Sequence, residues 1–171
     1  GPVGSSSAIT LENSKDNIIV DLISQEDYFI PNMSSINIID GIPILYFYNK
    51  NNLNISNFNI STTTAPVLVD GVSAGIVLIN INSSIIHNNK VSGFRGTSGG
   101  TGIYGGTGGQ GGLSSGIYLS NSYNNSLSSN IISNLTGGQG GSGRYTGPVG
   151  SSSAITLENS KDNIIVDLIS Q

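Results

Sequence analysis

The sequence predicts an all-β chain whose short strands stack as successive coils of a parallel β-solenoid. Apolar and polar residues alternate with a period of two along most of the chain, and no convincing stretch has helical spacing. One motif recurs at two further places in the chain, and the opening letters GPVGSSSAITLENSKDNIIVDLISQ return unchanged at 147–171. Short strands cannot bury an apolar face alone, so this recurrence favours stacking.

The clearest copy of the motif is GIYLSNSYNNSLSSNIISNL, at 116–135. The stretch 74–94 matches it at an offset of 41, placing Ile76 on Ile117. The stretch 153–170 matches it at an offset of 38, and the last part of this match needs a one-residue slip. In a stack with these offsets, equivalent aliphatic side chains lie above one another in the interior.

Asparagine recurs at the ends of the predicted strands. Asn80, Asn121 and Asn159 occupy equivalent positions in three copies of the motif. Stacked at the strand spacing of about 4.8 Å, their amides are predicted to form part of an asparagine ladder. Ordinary turn preference also explains asparagine at corners and is compatible with the ladder.

The exact repeat divides the chain into one unit, 1–146, and the start of an identical unit, 147–171. Three explanations remain open: a window on a long array, a chain extended past one unit to include the joint, or a recent partial duplication. The first two predict assembly along one direction, through identical copies placed end to end.

Charge and composition exclude several partners and sites. The net charge is −4 with six Lys and Arg, so we expect no nucleic-acid partner, because phosphate neutralisation needs clustered cations. No apolar run approaches the roughly 20 residues of a membrane-spanning helix, and we expect no membrane insertion. The chain has no cysteine, which excludes a disulfide framework and a thiolate metal site.

Glycine-rich insertions interrupt the coils at 93–113 and 137–150. In the first, glycine falls at every third position over seven triplets, and Phe94, Tyr104 and Tyr145 are candidate apolar anchors for these tracts. The period favours a threefold extended helix packed through its glycine edge, within the chain or laterally between filaments. Disordered surface loops are the alternative. Collagen is disfavoured, because the seven triplets contain no proline.

No residue constellation predicts catalysis, a cofactor or a metal. The letters GTGGQG at 106–111 satisfy a dinucleotide-binding spelling, but no helical pattern follows them. The acids are scattered, whereas polysaccharide cleavage needs carboxylates gathered on one face. His87 is the only histidine and is predicted to be a solvated corner residue. We therefore expect no enzyme activity.

Six sites match the N-glycosylation pattern Asn-x-Ser/Thr, and attached glycans are expected if the protein is external. They are Asn32, Asn54, Asn59, Asn82, Asn124 and Asn134.

The letters GIYLSNSYNNSLSSNIISN resemble the repeat of right-handed parallel β-helix proteins of the NosD-type and carbohydrate-binding/sugar-hydrolase class, which are abundant among surface proteins of methanogenic archaea. The stretch INIIDGIPILYFYNKNNLNISNFNI, at 36–60, resembles the run that enters the helix in such proteins. The resemblance implies a right-handed parallel β-helix. It implies little about activity, because that class includes lyases, glycosidases and inert surface arrays.

These observations together predict a structural subunit of an extracellular filament, sheath or surface array at the cell surface, polymerising end to end. One alternative is a cell-surface adhesin or glycan-binding β-helix, which a line of exposed aromatic residues would favour. A second alternative is a polysaccharide-active enzyme, which clustered acids would favour.

Overall fold

The computed structural model describes residues 6–12, 18–20, 37–39, 42–62 and 72–170, and this part of the chain contains strands and no helix. The strands in chain order are β1 (Ser6–Glu12), β2 (Ile18–Val20), β3 (Asn37–Ile39), β4 (Ile42–Tyr48), β5 (Asn54–Ser56), β6 (Asn59–Ser61), β7 (Val72–Ile79), β8 (Ile85–His87), β9 (Lys90–Ser92), β10 (Leu113–Ser120), β11 (Ser126–Ser128), β12 (Ile131–Ser133), β13 (Ser152–Glu158), β14 (Ile164–Val166) and β15 (Ile169–Ser170).

Three sheets run side by side. The first has the order β1-β13-β10-β7-β4-β3, the second β2-β14-β11-β8-β5 and the third β15-β12-β9-β6. All pairs are parallel except β3 with β4. Each turn of the chain thus contributes one strand to each sheet, and we call such a turn a layer. Layers 1 to 4 begin at β4, β7, β10 and β13, and β1 with β2 forms layer 5.

The strand registers confirm the predicted offsets. Ile117 pairs with Ile76 on one side, at the offset of 41, and with Ile155 on the other, at the offset of 38. The expected one-residue slip is wrong, because Ile131 pairs with Ile169 and the offset of 38 continues to the last strand. The prediction of an all-β chain with parallel sheets is therefore confirmed at the level of strands and registers.

Stacked aliphatic residues fill the interior. In the first sheet Ile76, Ile117 and Ile155 are fully buried at one position. Similar columns follow at Leu78, Leu119 and Leu157, and at Ile86, Leu127 and Ile165. Burying one such side chain is worth about 1.5–3 kcal/mol, so each layer depends on its neighbours to cover its apolar face.

Left-handed backbone conformations form the corners between the sheets. At the corner after the first sheet, Asn80 has φ 54°, and Asn121 and Asn159 each have φ 48°. Asparagine adopts positive φ more readily than most residues, which explains why it recurs at these corners. Equivalent residues with positive φ occupy two further corners: Asn52, Ser83, Asn124 and Asp162 at one, and Asn57, Asn88, Ser129 and Asp167 at the other.

Candidate assembly site

The last layer is covered by the opening segment of the same chain. β1 pairs with β13 in parallel, and every pair joins identical residue types, from Ser6 with Ser152 to Glu12 with Glu158. β2 continues this register on β14, where Ile18 pairs with Ile164. We call this pairing of β1 and β2 with β13 and β14 the terminal joint. In these strands the two copies of the repeated sequence therefore lie one on the other, and each paired residue lies beside its own counterpart.

The opposite end of the stack is covered differently. β3 runs antiparallel to β4 and pairs Asn37, Ile38 and Ile39 with Ile44, Pro43 and Ile42. The rest of β4, from Leu45 to Tyr48, pairs only with β7 among the described strands. β5 and β6 likewise stand at the edges of their sheets in the part of the chain that the structure describes. Among the described strands, this end therefore presents edge strands of parallel sheets. The backbone N–H and C=O groups of such an edge are the groups that recruit further strands.

Buried amide ladders tie the layers together. The Nδ2 of Asn89 donates to the Oδ1 of Asn130 at 3.0 Å, and the Nδ2 of Asn125 donates to the Oδ1 of Asn163 at 3.0 Å. The same oxygens accept the backbone N–H groups of Asn89 and Asn125. All four side chains are about 1% exposed or less. Each ladder thus satisfies buried polar groups of two layers at once.

The predicted ladder residues lie at the corner after the first sheet. Asn80 donates from Nδ2 to the Oδ1 of Asn49 in layer 1, at 2.8 Å. Asn121 instead donates to the neighbouring Ser120, and both Asn121 and Asn159 are exposed. The buried ladders were not singled out by sequence reasoning. The signal that could have found them is asparagine at Asn89 and Asn130, which the offset of 41 aligns.

The glycine tracts of layers 2 and 3 are hydrogen-bonded to one another. Each tract leaves its layer and returns, which gives four extended segments that we together call the glycine bundle. They are segment 1 (94–103), segment 2 (106–112), segment 3 (136–144) and segment 4 (145–151). Segments 1 and 3 are joined at every third residue, by Gly96, Gly99 and Gly102, which donate to the carbonyls of Thr136, Gln139 and Ser142 at 2.7–2.8 Å. These bonds agree with the ordered alternative for the tracts.

Segments 2 and 3 lie at the centre of this bundle. Gly109 of segment 2 donates to Gly100 of segment 1, and it accepts from Gly141 of segment 3. Segment 2 also donates to segment 4, through Gly111 to Pro148, and segment 3 accepts from segment 4, through Gly147 to Gly141. Each central segment therefore contacts three others, whereas segments 1 and 4 contact two each.

In the central segment 3, both glycines of a pair lie against a neighbouring backbone. The central segments carry glycine pairs, as in TGGQGG, and the outer segment 4 carries single glycines, as in TGPVGS. In segment 3, a Cβ on Gly137 would lie 2.1 Å from the carbonyl oxygen of Gly150 in segment 4, and a Cβ on Gly138 would lie 1.8 Å from that of Thr97 in segment 1. The two glycines of this pair thus face two different neighbours, and each neighbour's backbone occupies the space of a side chain.

Two of the three expected anchors are not anchors. Phe94 is fully buried, where it contacts the side of Gly75, and it fits that role. Tyr104 and Tyr145 are exposed to 101% and 63%, beside the exposed Ile103. The guanidinium of Arg144 lies 5.6 Å from the centre of the Tyr145 ring. These aromatic side chains therefore face outward at the far end of the bundle, because the glycine backbone holds the segments together without them.

The candidate glycosylation sites differ in exposure. Asn54, Asn124 and Asn134 are exposed, whereas Asn59 and Asn82 are half-buried, and Asn32 lies outside the described residues. Asn54 also contacts the Nε2 of His87 at 3.1 Å, and the Nδ1 of His87 contacts the amide of Asn88 at 3.1 Å.

Apart from the register partners Glu12 and Glu158, the acidic residues in the described part of the chain lie at separate places. Glu158 accepts a hydrogen bond from the hydroxyl of Tyr118, and Asp162 and Asp167 occupy different corners. Within the described residues no three His, Asp or Glu side chains gather as a metal site would require.

The same residues include no helix of the length and apolarity that a membrane span needs.

Comparisons with protein-family models, with curated proteins and with solved structures found no match to this chain. The assignment of a function therefore depends on the geometry of the stack itself.

Proposed function

We propose that the chain is a structural subunit of an extracellular filament, sheath or surface array, which polymerises end to end by continued stacking of layers. The observation that carries the proposal is the terminal joint, where nine pairs of identical residues stand in one parallel register. A layer that pairs with a second copy of its own sequence can form the same joint again at each step, and these joints extend the stack in a single direction.

The two ends of the stack support this proposal. β1 has one described neighbour, β13, and its other edge stands at the end of the first sheet. At the opposite end the segment from Leu45 to Tyr48 has only β7 beside it among the described strands. The edge of β1 and the part of the β4 edge that β3 does not pair with allow layer 1 of one copy to follow layer 5 of another, as strand addition requires.

We also propose that the layers wind as a right-handed parallel β-helix of the NosD-type class, with the glycine tracts as inserted loops. The quoted repeat letters and the parallel registers support this assignment. Secretion and N-glycosylation at the exposed Asn54, Asn124 and Asn134 belong to the same proposal, since these sequons stand at solvent-facing positions of an external fibre.

Negative-stain microscopy and fibre diffraction test the filament. Separate copies of five layers predict an axial repeat of about 24 Å, and covalently joined units of four layers predict about 19 Å, because strands lie about 4.8 Å apart. Fibres with a meridional reflection at about 4.8 Å and one of these repeats support the proposal. A protein that remains in discrete particles at every concentration contradicts it.

A surface adhesin or glycan-binding protein is the second candidate, and one observation favours it. Tyr104 and Tyr145 stand exposed at the far end of the glycine bundle, and the cation of Arg144 lies 5.6 Å from the centre of the Tyr145 ring. Exposed aromatic side chains are typical of binding surfaces. Glycan-array binding that disappears in Tyr104→Ala and Tyr145→Ala, and persists in the half-buried Tyr123→Ala, supports this candidate. Equal signals in all three variants exclude these tyrosines as the binding surface.

A further inference from the structure

We propose that the terminal joint exchanges between chains: the edge formed by β13 and β14 is a docking surface for β1 and β2 of a second copy. This inference rests on the proposed filament function and names the partner of the joint. It assigns to a single segment two alternative positions, one on its own chain and one on a neighbour.

Identity of sequence makes the two positions equivalent. β13 receives β1 through six residue pairs, and β14 receives β2 through three more, all at the same offset. Any copy of the chain presents the same backbone edge and carries the same docking segment. The pairing within one chain and the pairing between two chains therefore form the same contacts, which is the condition for domain swapping.

Connectivity also permits exchange. β1 and β4 stand at opposite ends of the parallel run β1-β13-β10-β7-β4, about 19 Å apart at the ordinary strand spacing. The segment 21–36 joins β2 to β3, and a chain of this length can span about 50 Å. In two stacked chains, β1 of the second chain lies on β13 of the first. The part of its own β4 that β3 does not pair with, from Leu45 to Tyr48, then takes the next position. The connection is therefore long enough for both arrangements.

Concentration decides between the two positions. The docking segment of the same chain binds the edge of β13 and β14 at a fixed effective concentration. The segment of a second copy competes for that edge in proportion to the concentration of the protein in solution. A dilute chain closes on itself and covers its final layer. In a concentrated sample the chains exchange segments and become linked in one direction. At low concentration the closed form predominates, and it limits the growth of the filament.

Cysteine cross-linking tests the exchange, since the chain contains no cysteine of its own. Glu12 and Glu158 are register partners, and paired strands lie within the Cα separation that a disulfide accepts. One chain carries Glu12→Cys and another carries Glu158→Cys. The two are unfolded together, refolded over a range of concentrations and oxidised with glutathione disulfide. The matched control replaces the second chain with Lys161→Cys, an exposed position that has Tyr123 rather than Glu12 beside it.

The expected result is a covalent dimer in the mixture, containing a disulfide between positions 12 and 158 and increasing with concentration. The control mixture and each single variant alone lack this cross-linked peptide. A chain carrying both substitutions forms the same disulfide within a monomer when dilute. Absence of the dimer from the mixture while the doubly substituted monomer closes overturns the exchange, and failure of both cross-links overturns the joint itself.

Microscopy of the unsubstituted chain separates this inference from the filament. Cross-linked dimers without fibres leave the exchange standing and reject the filament function. Fibres without the mixed dimer reject the exchange and leave a filament built by docking of closed copies.

Discussion

The side-chain amide of Asn89 donates to the Oδ1 of Asn130 at 3.0 Å, across the boundary between layers 2 and 3. The same oxygen accepts the backbone N–H of Asn89, and the Nδ2 of Asn130 donates back to the carbonyl of Ile86 in layer 2. The ladder extends to layer 1, where the Oδ1 of Asn89 accepts the N–H of Phe58. One buried asparagine in layer 2 and one in layer 3 thus pair groups that water cannot reach.

Asn130→Ala is expected to lower the free energy of unfolding by about 1–3 kcal/mol, because it leaves buried donors of Asn89 without an acceptor. Urea denaturation measures the change. Asn54→Ala is the matched control, since Asn54 is exposed and its change is expected to stay within about 0.5 kcal/mol. Equal losses in the two variants contradict the structural role of the ladder.

Gly138→Ala is expected to disrupt the glycine bundle, because its Cβ would lie 1.8 Å from the carbonyl oxygen of Thr97. Overpacking of this kind costs about 1–3 kcal/mol. Hydrogen exchange detects the effect as lost protection at the amides of Gly112 and Gly141, which bond across the segments. Gly100→Ala is the control, since a Cβ there meets nothing within 4 Å. Unchanged protection in Gly138→Ala would count against the packed bundle.

Ile86→Ala and Ile85→Ala form a matched pair within β8. Ile86 is fully buried and Ile85 is 49% exposed. Removing the buried side chain is expected to cost about 2–5 kcal/mol through lost transfer energy and a residual cavity, whereas the exposed change should cost far less. Thermal unfolding of both variants measures the difference. A larger loss at position 85 would contradict the burial of Ile86 and the exposure of Ile85.

Asn121→Val is expected to destabilise the protein by about 1–2 kcal/mol, because a left-handed conformation brings the Cβ too close to the following carbonyl. Asn121 has φ 48° and is exposed, so packing contributes little to the change. Asn121→Gly should restore the stability, since glycine accepts positive φ without this cost. Chemical denaturation compares the two, and equal stability of Val and Gly would argue against the corner conformation.

Much of the fold could be predicted from local pattern and repetition. Ile117 and Leu119 alternate with polar neighbours, and the offsets of 41 and 38 are the registers that place Ile117 on Ile76 and Ile155. The one-residue slip was predicted because the residue aligned with Ile132 at the offset of 38 is the polar Ser170, whereas a shift by one residue aligns the apolar Ile169. Backbone hydrogen bonds of the sheet continue past such a mismatch, since they do not depend on the side chain.

The candidate site was predicted less completely. The repeated terminal segment indicated a joint, but its position on the same chain could not follow from spacing, because an identical partner on a neighbour satisfies the same pattern. For the asparagines, sequence reasoning selected the corner residues Asn80, Asn121 and Asn159. The deeper ladders depend on which asparagines turn inward after the corner, and that direction is set by the positive φ of the residues before them.

The sequence by itself determined the strand period, because side chains alternate along an extended backbone, and it determined the offsets between layers and the spacing of glycine, because the motif and the glycine triplets recur along the chain. Only the tertiary structure decided how many faces each glycine segment packs and what covers the final layer. Both depend on contacts between residues far apart in the chain, such as Gly138 with Thr97 and Ser6 with Ser152, whose geometry no local pattern contains.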